Sequence, residues 1–140
     1  MNKITTSAIV SMLIIQITGL TALSASAATF SDTSGHKDEI AIEYLKTKNV
    51  IQGYDDGTFR PNNSINRAEL LKILVGGAGY AKPNETTYKN CFPDVKTQWF
   101  APYVCFAKEK SWVSGYPDGY FRPEKKINKV EAMKMLVHSQ

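Results

Sequence analysis

Gly53-Tyr54-Asp55-Asp56-Gly57-Thr58-Phe59-Arg60-Pro61 is answered 62 residues later by Gly115-Tyr116-Pro117-Asp118-Gly119-Tyr120-Phe121-Arg122-Pro123. Seven of the nine positions are identical. The chemistry is that of a tight turn. Gly takes positive φ freely, Asp hydrogen-bonds its own backbone two residues on, and Pro ends any continuing ladder. Extended outward, residues 30–75 align with 92–137 without a gap, and 17 of the 46 positions are the same. The identities cluster on turn and cap residues, so the chain is an internal repeat, and each copy is expected to be one supersecondary unit.

On either side of the turn the hydrophobic spacing is helical. Ile40, Ala41, Tyr44 and Leu45 precede it in copy one, and Trp99, Phe100, Tyr103, Val104, Phe106 and Ala107 in copy two. These helices fade at Asn49 and Ser111, before the β-favouring pairs Val50-Ile51 and Trp112-Val113. The second helix of each copy opens at Asn66 and Asn128, good N-caps, with Glu69 and Glu131 three residues on to complete a capping box. Leu70, Leu71, Ile73, Leu74 and Val75 are the expected buried face, matched by Met133, Met135, Leu136 and Val137. Gly76-Gly77 is a helix stop.

The remaining length is not repeat. Within the 140 residues, Lys3 precedes the apolar run Ala8–Ile17, and Ala25-Ser26-Ala27 supplies the small residues of a cleavage site. Residues 1–27 therefore read as a secretory signal, and Ser11, Gln16, Thr18 and Thr21 interrupt them too often for a membrane anchor. The expected division is 1–27 signal, 28–78 first repeat, 79–90 linker and 91–140 second repeat. The net charge is +4 before Lys3 is lost, with both signs interspersed. That suits an acidic polymer, and lacks the clustered basic stripe of a nucleic-acid binder.

The ordered motifs, from Phe30-Ser31-Asp32 through the first turn to Ile65-Asn66-Arg67-Ala68-Glu69, and from Phe92-Pro93-Asp94 through the second turn to Ile127-Asn128-Lys129-Val130-Glu131, resemble surface-layer homology repeats. The resemblance implies a mainly α fold, with tandem helix–turn–helix repeats packing into a pseudo-symmetric helical bundle. It also implies a secreted, non-catalytic module of the cell envelope, bound to a secondary cell-wall polysaccharide bearing acidic pyruvate ketals or to a peptidoglycan-linked polymer. The family usually assembles three repeats with sugar pockets between neighbours, so a third repeat or a second chain is an expected partner. A self-assembling surface protein, whose repeats serve protein–protein contacts, is the other reading.

Arg67 matches the family's pocket arginine, while Lys129 stands in its place in copy two. Lys keeps the charge without the planar fork that grips a carboxylate, so the copy-two pocket is expected to be weaker or altered. Asp56, Asp118, Gly53, Gly115, Asp32 and Asp94 also match family positions and are candidate polysaccharide contacts. Each has a structural alternative: Asp56 and Asp118 as turn formers, Asp32 and Asp94 as caps of the first helix. Asn66, Glu69, Asn128 and Glu131 read as structural caps.

Other chemistries lack their residues. With Gly57 or Gly119 at the sixth place of a calcium loop, the third place falls on Tyr54 or Tyr116 and the twelfth on Asn63 or Lys125. His36 and His138 make no zinc cluster with cysteines, and no nucleophile–base pair or phosphate loop is present, so no cofactor is expected. Cys91 and Cys105 both fall in copy two. Two cysteines in an exported chain suggest a disulfide, with two buried thiols as the alternative.

Overall fold

The computed structural model describes residues 30–140, and the expected signal, 1–27, lies outside the described residues. Four helices follow one another: α1 Glu39–Thr47, α2 Arg67–Gly77, α3 Ala101–Glu109 and α4 Lys129–His138. Between them, among the described residues, run turns, irregular backbone and two isolated bridges, Asn66–Lys126 and Phe92–Val95. The fold is mainly helical, as expected. The β-favouring pairs Val50-Ile51 and Trp112-Val113 are buried connectors.

Helix boundaries follow local chemistry. The Asn66 side chain accepts the Glu69 N–H at 2.9 Å, and the Glu69 carboxylate accepts the Asn66 N–H at 2.7 Å. Asn128 and Glu131 repeat the exchange at 2.9 and 3.3 Å. Both capping boxes supply partners to N–H groups that a helix start leaves open. α1 and α3 end where Asn49 and Ser111 turn left-handed, at φ 56° and 62°. α2 runs through Gly76-Gly77 and stops only where Gly79 takes φ 81°.

The turns are held by the first residues of each repeat. Asp32 accepts the Phe59 and Arg60 N–H groups at 2.8 and 2.7 Å, and Asp94 those of Phe121 and Arg122 at 3.0 and 2.7 Å. Neither caps the first helix of its copy. The N-caps there are Asp38 and Phe100, with no side-chain cap bond. The physical reason lies across the turn: Arg60 and Arg122 sit at φ 60° and 58°. A left-handed L-residue costs about 1–2 kcal/mol, which two charge-assisted bonds from one carboxylate offset. Phe30 and Phe92 lie against Gly53 and Gly115, at φ 75° and 79°, where a Cβ would meet the rings at 2.3 and 2.7 Å.

The main core joins the two copies. Ala68, Leu71, Leu74 and Val75 of α2 cluster with Val104, Ala107 and Phe121 of the second copy, and α2 packs against α3 and α4. Phe30, Ile42, Val50 and Ile51 form a separate, smaller cluster within copy one. The second helix of copy one thus contributes most of its apolar face to copy two.

That asymmetry corrects three expectations. On α4 only Met135 is buried, while Val130, Met133, Leu136 and Val137 are exposed, because no described element covers the face that α3 covers on α2. On α1 the buried residue is Ile42, and Ile40 and Tyr44 face outward. Trp99 precedes α3 and is half exposed. Cys91 and Cys105 form a disulfide with Cα atoms 5.5 Å apart, tying the start of copy two to α3 in place of two free thiols. No helix among the described residues is long and apolar enough to cross a membrane.

Candidate functional site

Arg67 is the first residue of α2, and its backbone explains where its side chain goes. The Arg67 N–H donates to the Lys125 carbonyl at 3.1 Å, the Ala68 N–H to that of Pro123 at 3.1 Å, and the Ile127 N–H to that of Ile65 at 3.2 Å. These bonds dock the start of α2 on the segment after the second turn. They also satisfy helix N–H groups that would otherwise be open. The side chain is then carried into copy two. It is 5% exposed, with Nε donating to the Phe121 carbonyl at 3.0 Å and Nη1 3.7 Å from Glu131 Oε1. The guanidinium lies over the rings of Tyr116 and Phe121, 4.8 and 4.6 Å from their centroids. Burial pulls its pKa below the usual arginine value, with Tyr116 and Glu131 opposing the shift, so it keeps its charge at neutral pH.

Beside Arg67 opens a groove of about 350 Å³, walled by Trp112, Ser114, Gly115 and Tyr116 from the turn region and by Glu131, Lys134 and His138 from α4. The α4 residues recur at three- and four-residue spacing and so share one helix face. Glu131 is heavily engaged. The Tyr116 hydroxyl donates to it at 2.7 Å, the Asn128 N–H at 3.3 Å and Lys125 Nζ at 3.3 Å, and its pKa falls to about 2. With Glu131 so satisfied, Arg67 and Lys134 leave the groove with an excess of positive charge. Aromatic walls, hydroxyls and a basic floor match the needs of a carboxylate-bearing saccharide: flat apolar faces for the ring, donors and acceptors for its hydroxyls and a cation for the acid.

The candidate residues fall into two groups. Arg67, Gly115 and Glu131 meet in this groove. Asp32 and Asp94 are turned onto turn backbone. Asp56 accepts from the Thr58 hydroxyl, the Thr58 N–H and Arg60, which lower its pKa to about 2, and Asp118 accepts from the Tyr120 N–H at 3.1 Å and from Arg122 at 2.5 Å. Gly53, Asn66 and Asn128 set backbone geometry, as described above. Lys129 stands exposed at the start of α4 and does not line this groove, whose arginine comes from copy one. The sequence reading gives Lys129 to the copy-two pocket. The tertiary arrangement gives that pocket Arg67 instead, because α2 packs onto copy two. Lys134, His138 and Ser114 were not singled out from sequence. The spacing Glu131, Lys134, His138 was the signal available.

A second groove, also about 350 Å³, occupies the equivalent place in copy one, lined by Gly53, Tyr54, Glu69, Lys72 and Ile73, with Trp99 reaching in from copy two. Among the described residues, none takes the place of Arg67 there, and its cations are Arg60 and Lys72 of copy one itself. Among the described residues, no cluster of three or more His, Cys, Asp or Glu could hold a metal.

Known proteins share this pattern. The chain is 32% identical over 118 residues to a cellulosome-anchoring protein of Acetivibrio thermocellus, covering 81% of this chain and 26% of that protein. It is 28% identical over 142 residues to a middle cell wall protein of Brevibacillus brevis, covering 99% of this chain and 14% of that one. A surface layer protein of Brevibacillus choshinensis is 28% identical over 141 residues, 99% of this chain and 12% of its own. The chain thus spans about a quarter or less of these relatives. The model of the S-layer homology domain matches residues 29–71 and 92–133, the two copies read from the offset. Two matches in tandem, over the turns and capping boxes described above, make this chain a member of the S-layer homology domain family.

Proposed function

We propose that this chain is a non-catalytic anchoring module that holds to the bacterial cell wall by gripping an acidic saccharide in the groove between its two repeats. One observation carries the reading: Arg67 of the first repeat is buried in the second repeat's groove, beside Trp112, Tyr116 and Lys134. Family membership makes this a secreted protein of the cell envelope or cell surface. Relatives named for anchoring and for surface layers support the wall as partner. In this reading residues 28–78 and 91–140 are the repeats and 79–90 the linker. Arg67 and Lys134 meet the carboxylate of a pyruvylated wall polysaccharide, and the aromatic walls stack on its ring. Asp32, Asp94, Asp56 and Asp118 hold the turns in shape.

Sedimentation with purified wall sacculi, before and after extraction of the non-peptidoglycan polymer, tests this. The chain is expected to sediment with intact sacculi and to remain in solution once the polymer is removed. Arg67→Lys and Lys134→Met should each weaken binding about tenfold or more, the scale of one charge-assisted contact. Lys96→Ala, outside the groove, should leave it unchanged. Binding that survives extraction, or equal effects of all three changes, would refute the saccharide reading.

A further inference from the structure

Trp99 is 53% exposed, and the repeat does not ask for an aromatic ring at its position. The same place in copy one holds Lys37, which is also exposed and pairs with Asp38. The Trp99 ring is nonetheless held firmly. It meets Phe100 edge to face with centroids 5.5 Å apart, and Phe100 is buried. A rigid, half-open aromatic offers a flat apolar face that loses little freedom when something stacks on it.

Two clefts open against this ring, and Trp99 is the one residue that lines both. One is the copy-one groove, with Tyr54 and Lys72. The other measures about 220 Å³ and lies between the linker and the start of α3, with the buried Ala101 and Pro102 in its wall. It shares no residue with the Arg67 groove. The linker supplies Glu85, Thr86 and Lys89, and the stretch before α3 supplies Thr97 and Gln98. The linker wall is fixed. Asn84 Oδ1 accepts the Thr86 N–H and hydroxyl at 2.8 and 2.6 Å, and the Tyr88 hydroxyl donates to Glu109 at 2.9 Å. Glu85 is already paired with Lys82, whereas Lys89 is exposed and makes no ion pair among the described residues. The cleft therefore presents a flat ring, hydroxyls and an uncommitted ammonium together.

We infer that Trp99 and the linker cleft form a second saccharide site: a sugar ring of an acidic glycan stacks on Trp99, its hydroxyls meet Thr86 and Thr97, and its acid group meets Lys89. The inference rests on the anchoring reading for the class of ligand. A glycan longer than one sugar continues across Trp99 into the copy-one groove, where Lys72 is a cation on the other side. This site and the Arg67 groove then hold two stretches of one polymer, so long fragments gain avidity that a single sugar unit cannot.

The test uses the chain recovered after secretion, labelled with heavy nitrogen, and the non-peptidoglycan polymer extracted from sacculi, supplied as long fragments and as its smallest repeating unit. The chain has two tryptophans, so a proton–nitrogen spectrum shows two indole N–H signals, and the one missing from Trp99→Ala belongs to Trp99. Long fragments at saturation are expected to shift the Trp99 signal in the parent and in Arg67→Lys alike. Trp99→Ala should weaken binding of long fragments about tenfold, and Lys89→Met about threefold, both with the circular dichroism of the parent. The advantage of long fragments over the single unit should shrink in both variants. A Trp99 signal that stays in place at saturating polymer, or Trp99→Ala and Lys89→Met chains that bind as the parent does, would overturn this site and leave the Arg67 groove standing. A Trp99 signal that shifts while Arg67→Lys and Lys134→Met bind as the parent does would overturn the groove and support this site.

Discussion

Arg67 and Lys129 occupy equivalent sequence positions and should respond to truncation in opposite ways. Arg67→Ala removes a charged hydrogen bond to the Phe121 carbonyl, worth about 1.5–3 kcal/mol, and guanidinium contacts with Tyr116 and Phe121, each worth about 0.5–2 kcal/mol. These losses overlap and are offset in part by relief of arginine desolvation, so we expect a net destabilisation of about 3 kcal/mol. Lys129→Ala removes an exposed side chain and should stay within about 0.5 kcal/mol of the parent. Urea unfolding, followed by the fluorescence of the two tryptophans, of which Trp112 is buried beside the groove, separates the two at low protein concentration. With a slope of about 2 kcal/mol per M, Arg67→Ala should lower the midpoint by about 1.5 M, and Lys129→Ala by about 0.25 M or less. Equal midpoints for the two variants, or an Arg67→Ala midpoint at the parent value, would refute the claim that the first repeat is fastened to the second through this side chain.

Gly53→Ala should destabilise more than Gly57→Ala, as thermal midpoints can show. Both carry the cost of a left-handed alanine, but only at Gly53 does the new Cβ run into the Phe30 ring, at 2.3 Å. Reduction of Cys91–Cys105 reopens a loop of about 15 residues and should cost roughly 3 kcal/mol, read as a drop in thermal midpoint with dithiothreitol; alkylation without reductant should add no mass. Acid should destabilise the fold through Glu131 and Asp56. Their folded pKa values, about 2, lie below the ordinary values of 4.5 and 3.8, so the stability they add is present above those values and is lost as pH falls toward 2. Glu131→Gln should flatten the decline of thermal midpoint between about pH 4.5 and pH 2, and an unchanged slope would remove Glu131 from that account.

Much of the fold was legible because its signals are local. Asn66 and Asn128 cap helices through a carboxylate three residues away, and Gly57 and Gly119 turn the chain within a few bonds. An offset that preserves such residues preserves the unit they build. Of the site, Arg67 and Gly115 were legible as contacts, and Glu131 only as a cap. The partners of Asp32 and Asp94 lie 27 and 28 residues away, across the turn. Their spacing to the next helix suggested a cap, while the demand came from Arg60 and Arg122 at positive φ. Lys134 and His138 were open to a reading of helical spacing from Glu131, but nothing local marked that face as a groove wall.

Residue order alone was enough for the repeat, its helices, its turns and its family, since each depends on interactions a few residues long or on a pattern recurring at one offset. It could not tell equivalent positions apart. Leu71 and Met133, Val75 and Val137, Arg67 and Lys129 are the same position read twice. One of each pair is buried and the other exposed because α2 has the second repeat to pack against, while no described element covers α4. Burial depends on what lies across the interface, and in a repeat protein the neighbour differs from copy to copy even where the sequence is the same.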